Sequence, residues 1–227
     1  MEVERMIDRG PYSFRVLDTE ETRSWDFWRL WAEGNWEAST FEALDEVLKP
    51  GDMLFDVGAW LGPIALWEAA RGVHVVAFEP DPAAFNFLKW NIRLNRLENM
   101  ITPLEIAIID GRRRIPLFYS QLGDSKSRIF NQVFPNRLEV AGDTLEEMFA
   151  IIGRPKAIKF DVEGGESLIL PHSGRFLRQQ GVALVLSLHP FWYAEGTAEA
   201  VDAELAHWEM RDLDNHENFL CTPKDLA

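Results

Sequence analysis

The chain has 227 residues, 47% of them hydrophobic and 26% charged, with a formal net charge of −14 at pH 7. That length suits one α/β domain with a full core and is short for two. The acidic balance argues against nucleic acid or an anionic membrane as the main partner, and the single cysteine, Cys221, excludes an internal disulfide and a cysteine-built zinc site.

Residues 12–17 alternate as a short strand, and Trp25, Trp28 and Trp31 then recur every three residues, as one face of a helix does. That stripe is expected to pack against the domain. A second helix, from about 37 to 48, stops at Lys49-Pro50-Gly51-Asp52, a strong turn. Residues 1–50 are therefore expected to form an extension packed on a core domain spanning 51–227.

The core opens with Met53-Leu54-Phe55-Asp56-Val57-Gly58-Ala59-Trp60-Leu61-Gly62. An apolar strand runs through Asp56 into a glycine-bearing turn, and a helix over 64–71 follows. In an open parallel sheet, ligands bind beyond such a strand end, and glycines let them approach the backbone closely. The next strand, 73–78, ends in Glu79, placed to accept hydrogen bonds from both ribose hydroxyls of a nucleoside. The turn lacks the middle glycine of G-x-G-x-x-G, which disfavours a dinucleotide and an NAD-dependent oxidoreductase. A carboxylate at Asp56 would repel a pyrophosphate and suits a ligand with ammonium and sulfonium charges. S-adenosyl-L-methionine has both charges and no phosphate.

A helix over 82–94 and a strand over 101–109 continue the alternation. Strands at 114–119 and 137–140 then bracket a polar stretch, 120–136, read as a lid or substrate loop. Arg112-Arg113-Arg114 is the candidate basic patch, against the ordinary reading of a solvated loop. Regular alternation resumes with a helix over 143–152, a strand over 157–161, a helix over 165–180 broken at Pro171, and a strand over 182–189. A helix over 197–208 and closing strands at 210–213 and 218–222 complete the pattern. The expected fold is a three-layer α/β domain with a seven-stranded, mostly parallel sheet carrying one antiparallel strand.

Two further strand ends carry polar groups to the same rim: Asp161, with Glu163 and Glu166 close behind, and His189. Asp161 with His189 could orient and deprotonate a hydroxyl, an ordinary task for a neutral imidazole with a carboxylate partner. Helix capping by the acids and a structural role for His189 are the bland alternatives. An Asp/Glu/His set could also bind a divalent metal, but no recognisable ligand spacing marks one, so no metal ligand is assigned.

Laid out together, these residues resemble the FkbM family of S-adenosylmethionine-dependent methyltransferases, from about Trp36-Glu37 to the last strand. The resemblance rests on Lys49-Pro50-Gly51-Asp52, the segment Phe55 to Pro63, Phe78-Glu79-Pro80-Asp81-Pro82, the paired Asn91 and Asn95, Asp143-Thr144-Leu145, and Lys159-Phe160-Asp161-Val162-Glu163-Gly164-Gly165-Glu166. It implies a class I, Rossmann-like methyltransferase fold with Gly58 near the methionine part of the cofactor and Glu79 on the ribose. Trp36 and Glu37 match an upstream cofactor contact, Glu37 facing the methionine ammonium. Ala59, Trp60, Pro80, Ala107 and Asp161 complete the expected cofactor set, although Trp60 and Pro63 depart from the family's usual residues.

The resemblance further implies O-methylation of a hydroxyl on a small sugar-like or natural-product acceptor, with His189 as base and Asp161 as its orienter or substitute. A non-catalytic cofactor-binding module and a methyltransferase of protein or nucleic acid are the alternatives. The latter would want Asn/Asp-Pro-Pro-aromatic where this chain has Asp161-Val162-Glu163-Gly164. No stretch approaches the ~18 apolar residues of a membrane span, and no basic start joins an apolar run near residue 1, so a cytoplasmic setting is expected.

Overall fold

The computed structural model describes residues 2–19, 24–130, 133–214 and 216–224; the side chain of Trp25, expected in the tryptophan stripe, lies outside the described residues. Strands β1 (Glu2–Arg9) and β2 (Tyr12–Thr19) form an antiparallel hairpin, followed by α1 (Ser24–Ala32) and α2 (Ala38–Val47). The core then alternates through β3 (Met53–Val57), α3 (Pro63–Ala70), β4 (His74–Phe78), α4 (Pro82–Leu94) and β5 (Ile101–Leu104). A three-stranded side sheet follows, built from β6 (Ala107–Ile108), β7 (Arg113–Tyr119) and β8 (Asn136–Asp143). The chain returns to the core with α5 (Leu145–Ile152), β9 (Ala157–Phe160), α6 (Glu166–Gln179) and β10 (Ala183–Ser187). It closes with α7 (Ala198–Leu205), β11 (Trp208–Asp212) and β12 (Asn218–Pro223).

The main sheet has seven strands in the order β11-β12-β10-β9-β3-β4-β5, and β12 alone runs antiparallel to its neighbours. Strands buried on both faces need near-continuous apolar sequence, and β9 and β10 are buried at every position. Successive side chains go to opposite layers. Leu54, Val75 and Ala77 pack with α2, α3 and α4, whereas Phe55, Val57, Val76 and Phe78 pack with α5 and α6. Order reverses between β3 and β9, which opens a crevice at their carboxyl ends, the usual ligand position in such sheets.

The hairpin docks through the paired asparagines of α4. Asn91, fully buried, accepts from the Leu17 amide at 2.8 Å and donates to the Leu61 carbonyl at 2.9 Å. Asn95 accepts from the Arg15 amide at 2.8 Å and donates back to its carbonyl at 2.7 Å. Trp28 and Trp31 are fully buried beneath the hairpin, as the stripe predicted.

Several boundaries differ from the sequence reading. The N-terminal strand is one half of a hairpin. The expected strand over 101–109 splits, β5 staying on the sheet edge, where Pro103 is tolerated, while Ala107–Ile108 joins the side sheet. Pro171 does not break α6, because at the sixth helical position it removes a single intrahelical hydrogen bond while Ile169, Leu170 and Leu177 hold the helix to the core. Trp208 begins β11 instead of ending α7, and its buried ring is reached from the strand.

Candidate active site

Beyond β3 the backbone turns through Gly58, Trp60 and Gly62, all at positive φ (85°, 49° and 91°). The amides of Gly58 and Ala59 both donate to the Phe78 carbonyl at 3.0 Å, tying this turn to the end of β4. A Cβ on Gly58 would stand 1.9 Å from the Asp161 carbonyl oxygen, so this glycine lets the ends of β3 and β9 close together. Glu79 accepts from the Trp60 amide through Oε2 and from the Asp81 amide through Oε1, both at 2.8 Å. Burial pushes its carboxyl up to about 8, against the pull of those two amides. Each oxygen keeps a further lone pair for a ligand hydroxyl.

These residues line a cavity of about 420 Å3, a size suited to a nucleoside-sized ligand. Trp36, Glu37, Gly58, Ala59, Trp60, Glu79, Pro80, Ala107 and Asp161, the residues the sequence reading assigned to the cofactor besides Asp56, all line it. The stretch 120–136 supplies another wall through Asp124, Ser125, Ser127, Arg128 and Ile129. It is fastened to the cofactor end of the cavity: Gly123 and Ser127 donate to Asp81 at 2.8 and 3.0 Å, and the Trp60 indole donates to the Gly123 carbonyl at 2.9 Å.

Asp56 is the exception. It shares the face of Leu54, is fully buried, and does not line the cavity. Burial pushes its carboxyl up to about 6, with Lys159 opposing that shift. Its expected contact with a cationic ligand is therefore replaced by a charge held behind the wall.

At the other end, Lys159 is the residue the sequence reading passed over, although a lysine inside an all-apolar strand is a visible signal. Its ammonium reaches Asp161 Oδ2 at 3.2 Å; burial opposes its charge, but Asp161, Asp56 and Glu37 outweigh that and hold its pKa above the ordinary lysine value. Burial likewise opposes ionisation of Asp161, yet Lys159 and His189 hold that carboxyl below the usual range.

Glu166, buried at the start of α6, was also missed. It accepts from the amides of Val162 and Gly164 at 3.3 and 3.0 Å and meets His189 Nδ1 at 3.0 Å. Burial lowers the histidine pKa, but the bond to Glu166 and the charges of Glu166, Asp161 and Glu163 dominate and raise it to about 9. With nothing bound at Nε2, His189 thus favours the protonated form at neutral pH, against the expectation of a neutral base there.

Glu37, Asp161 and His189 also line a second cavity of about 480 Å3, walled by Phe191, Trp192, Asp214, His216 and Glu217 among others. These three side chains stand between two chambers. Arg112-Arg113-Arg114, the candidate basic patch, is tied up locally: Arg112 pairs with Asp143, Arg113 with Asp110, and Arg114 donates to the Glu139 carbonyl. No helix among the described residues is long and apolar enough to cross a membrane.

The chain is 39% identical over 84 residues to a tRNA (guanine(37)-N(1))-methyltransferase of Leishmania braziliensis, covering 36% of this chain and 12% of that protein. It spans a quarter or less of the first curated relatives it matches. Among solved structures, a methyltransferase FkbM from Methylobacillus flagellatus superposes with a TM-score of 0.50 at 15% identity, covering 91% of this chain and 56% of the other. The T. thermophilus 16S rRNA N2 G1207 methyltransferase, solved with AdoMet and guanosine, superposes at 0.53 with 15% identity, covering 99% and 50%. Those likenesses show the class I methyltransferase fold. Residues 56–220, from the buried carboxylate before the glycine turn to the last strand, match the methyltransferase FkbM domain, and the chain belongs to that family.

Proposed function

We propose that this chain is an S-adenosylmethionine-dependent methyltransferase that methylates a hydroxyl oxygen of a small, sugar-like or natural-product acceptor. The observation that carries this reading is the placement of Glu37, Asp161 and His189 between two cavities, one of them built for a nucleoside. The donor set fits the cofactor. Glu79 offers two fixed carboxylate oxygens to ribose hydroxyls, and Pro80, Ile106, Ala107 and Ile108 offer an apolar slot beside them. Lys159 and Arg128, the lysine and arginine among the described lining residues, are each already paired with a carboxylate, whereas a pyrophosphate would want them free; Glu37 and Asp161 suit the ammonium and sulfonium charges.

S-adenosylmethionine supplies an electrophilic methyl group on a sulfonium. The protein's task is positioning. An acceptor entering through the second cavity meets Asp161, which is ionised and accepts the hydroxyl's hydrogen bond. With the cofactor bound, the methyl group would pass from sulfur to the acceptor oxygen, the C–S electron pair staying on sulfur, and Asp161 would hand the hydroxyl proton on to solvent. His189, anchored through Nδ1 to Glu166, stands 3.7 Å from Asp161 Oδ1 and favours its ionised form, as a positioning residue.

The walls of the second cavity favour a neutral or cationic acceptor. Asp214, Glu217 and Glu37 line it, and Phe191, 81% exposed, offers an apolar face for a ring to lie against. The acidic balance of the whole chain points away from the polyanionic acceptors named for the curated relatives. The test is transfer of a labelled methyl group to a panel of glycosides, hydroxylated metabolites, tRNA and protein. Label is expected on an oxygen of a small neutral or cationic acceptor; label confined to tRNA or to protein nitrogen would overturn the acceptor assignment.

A further inference from the structure

Three side chains at the junction of the two cavities direct donor atoms at one another while each is held from behind. One ligating atom each from Asp161, Glu163 and His189 lie within 4.8 Å of one another. Asp161 gives Oδ2 to Lys159 at 3.2 Å, which leaves Oδ1, 3.7 Å from His189 Nε2. Glu163 gives Oε2 to Arg128 at 3.4 Å, which leaves Oε1. His189 gives Nδ1 to the buried Glu166 at 3.0 Å, so Nε2 is the nitrogen that faces the carboxylates.

At 3.7 Å the Asp161–His189 contact is too long for a hydrogen bond. It does match the roughly 3–4 Å that separates two ligands of one ion bound at about 2.1 Å. A histidine whose second nitrogen is fixed by a carboxylate is the arrangement that orients imidazole toward a metal. Here the ligating carboxylates have supporting partners as well. We infer that Asp161, Glu163 and His189 form a binding site for a divalent cation. Two carboxylates with one imidazole, and no thiolate, select an ion of the Mn2+ or Fe2+ kind, with Mg2+ binding more weakly.

Both cavities open onto this centre, so three protein ligands leave positions for oxygens of a bound acceptor. An acceptor with two adjacent oxygens, such as a vicinal diol, would chelate there, and the cation would acidify the hydroxyl to be methylated. That role rests on the methyltransferase reading; the site itself does not. The strand ends were legible as sharing one rim, but the approach of the three donor atoms to within 4.8 Å appears only in the fold.

The test uses the full chain stripped with EDTA and titrated with MnCl2 alone, free Mn2+ being followed by electron paramagnetic resonance. One Mn2+ per chain should bind with micromolar affinity. Glu163→Gln, which keeps the side chain's shape, should weaken binding about 10-fold or more, and Glu166→Gln about 10-fold through loss of histidine orientation. Absence of saturable binding, or wild-type affinity in a folded Glu163→Gln protein, would overturn the site. S-adenosylmethionine calorimetry on the same stripped protein reads the cofactor assignment separately: cofactor binding without Mn2+ binding removes the cation site alone, and Mn2+ binding without cofactor binding upholds the site while removing the methyltransferase reading.

Discussion

The charge on His189 owes most to one neighbour, Glu166, at the start of the helix that precedes its strand. Asp161 and His189 were legible as polar residues at strand ends, and both reach the rim. Glu166 was not singled out, because an acid just after Gly164-Gly165 reads as an ordinary helix start. Only the folded turn shows it buried, bonded to two amides and to the imidazole. Asp56 failed for a related reason: strand alternation puts it on the face of Leu54, away from the ligand, while Glu79, one residue beyond β4, turns into the cavity. In EDTA-treated protein, NMR titration of His189 should give a midpoint near 9, and Glu166→Gln should move it down toward the ordinary histidine value. An unchanged midpoint in Glu166→Gln would show that Asp161 and Glu163 hold the proton instead.

At the scale of elements, α4 is the joint between the N-terminal hairpin and the cofactor turn. The inner core strands were legible because they are short apolar runs bounded by turn residues; β11, Trp-Glu-Met-Arg-Asp, is not such a run, and its start was placed two residues late. Strand β1 was not: Glu-Val-Glu-Arg-Met-Ile-Asp-Arg mixes charges on both faces, and Met6 is 57% exposed. Its pairing is imposed by β2 and not by its own pattern. Asn91 holds the joint by satisfying the Leu17 amide on one side and the Leu61 carbonyl on the other. Removing its amide leaves both groups unpaired, at roughly 1–3 kcal/mol each, so Asn91→Ala should lose about 2–5 kcal/mol in urea unfolding. A loss under ~1 kcal/mol would mean that water replaces the side chain. The side sheet was partly visible as two strands, but the pairing of β6 with β8 depends on the chain leaving the main sheet after β5, which no local pattern announces.

For the whole molecule, four of the carboxyls withdrawn from water shift upward together. Burial raises the carboxyls of Glu37 and Glu68 to about 7, Asp56 to about 6 and Glu79 to about 8. Burial alone would lower His189; its acidic neighbours win and raise it to about 9. All five groups hold protons more tightly folded than unfolded. Stability from the acids is therefore full below about 4 and is lost as pH rises through 6 to 8. That from His189 is full below its unfolded value of about 6.5 and is lost through about 9. Asp161, held low, works the opposite way, adding stability above its unfolded value that is lost on strong acidification. A net charge of −14 adds self-repulsion as pH climbs. Metal-free protein without cofactor should thus melt at a higher temperature at pH 5.5 than at pH 8.5, by scanning calorimetry. A Tm that rises across that interval would contradict the buried-acid account.

The central claim is that the cavity between Gly58 and Asp161 binds S-adenosylmethionine, with Glu79 on the ribose. Titration calorimetry with S-adenosylmethionine and S-adenosylhomocysteine tests it most directly, run on the wild-type chain and on Glu79→Ala. One molecule of either ligand should bind per chain, and NAD should not compete. Loss of two ribose hydrogen bonds worth roughly 0.5–1.5 kcal/mol each should weaken binding in Glu79→Ala by about 10-fold or more. Absence of binding by both ligands to the wild-type protein, or equal affinity in wild type and Glu79→Ala, would contradict it.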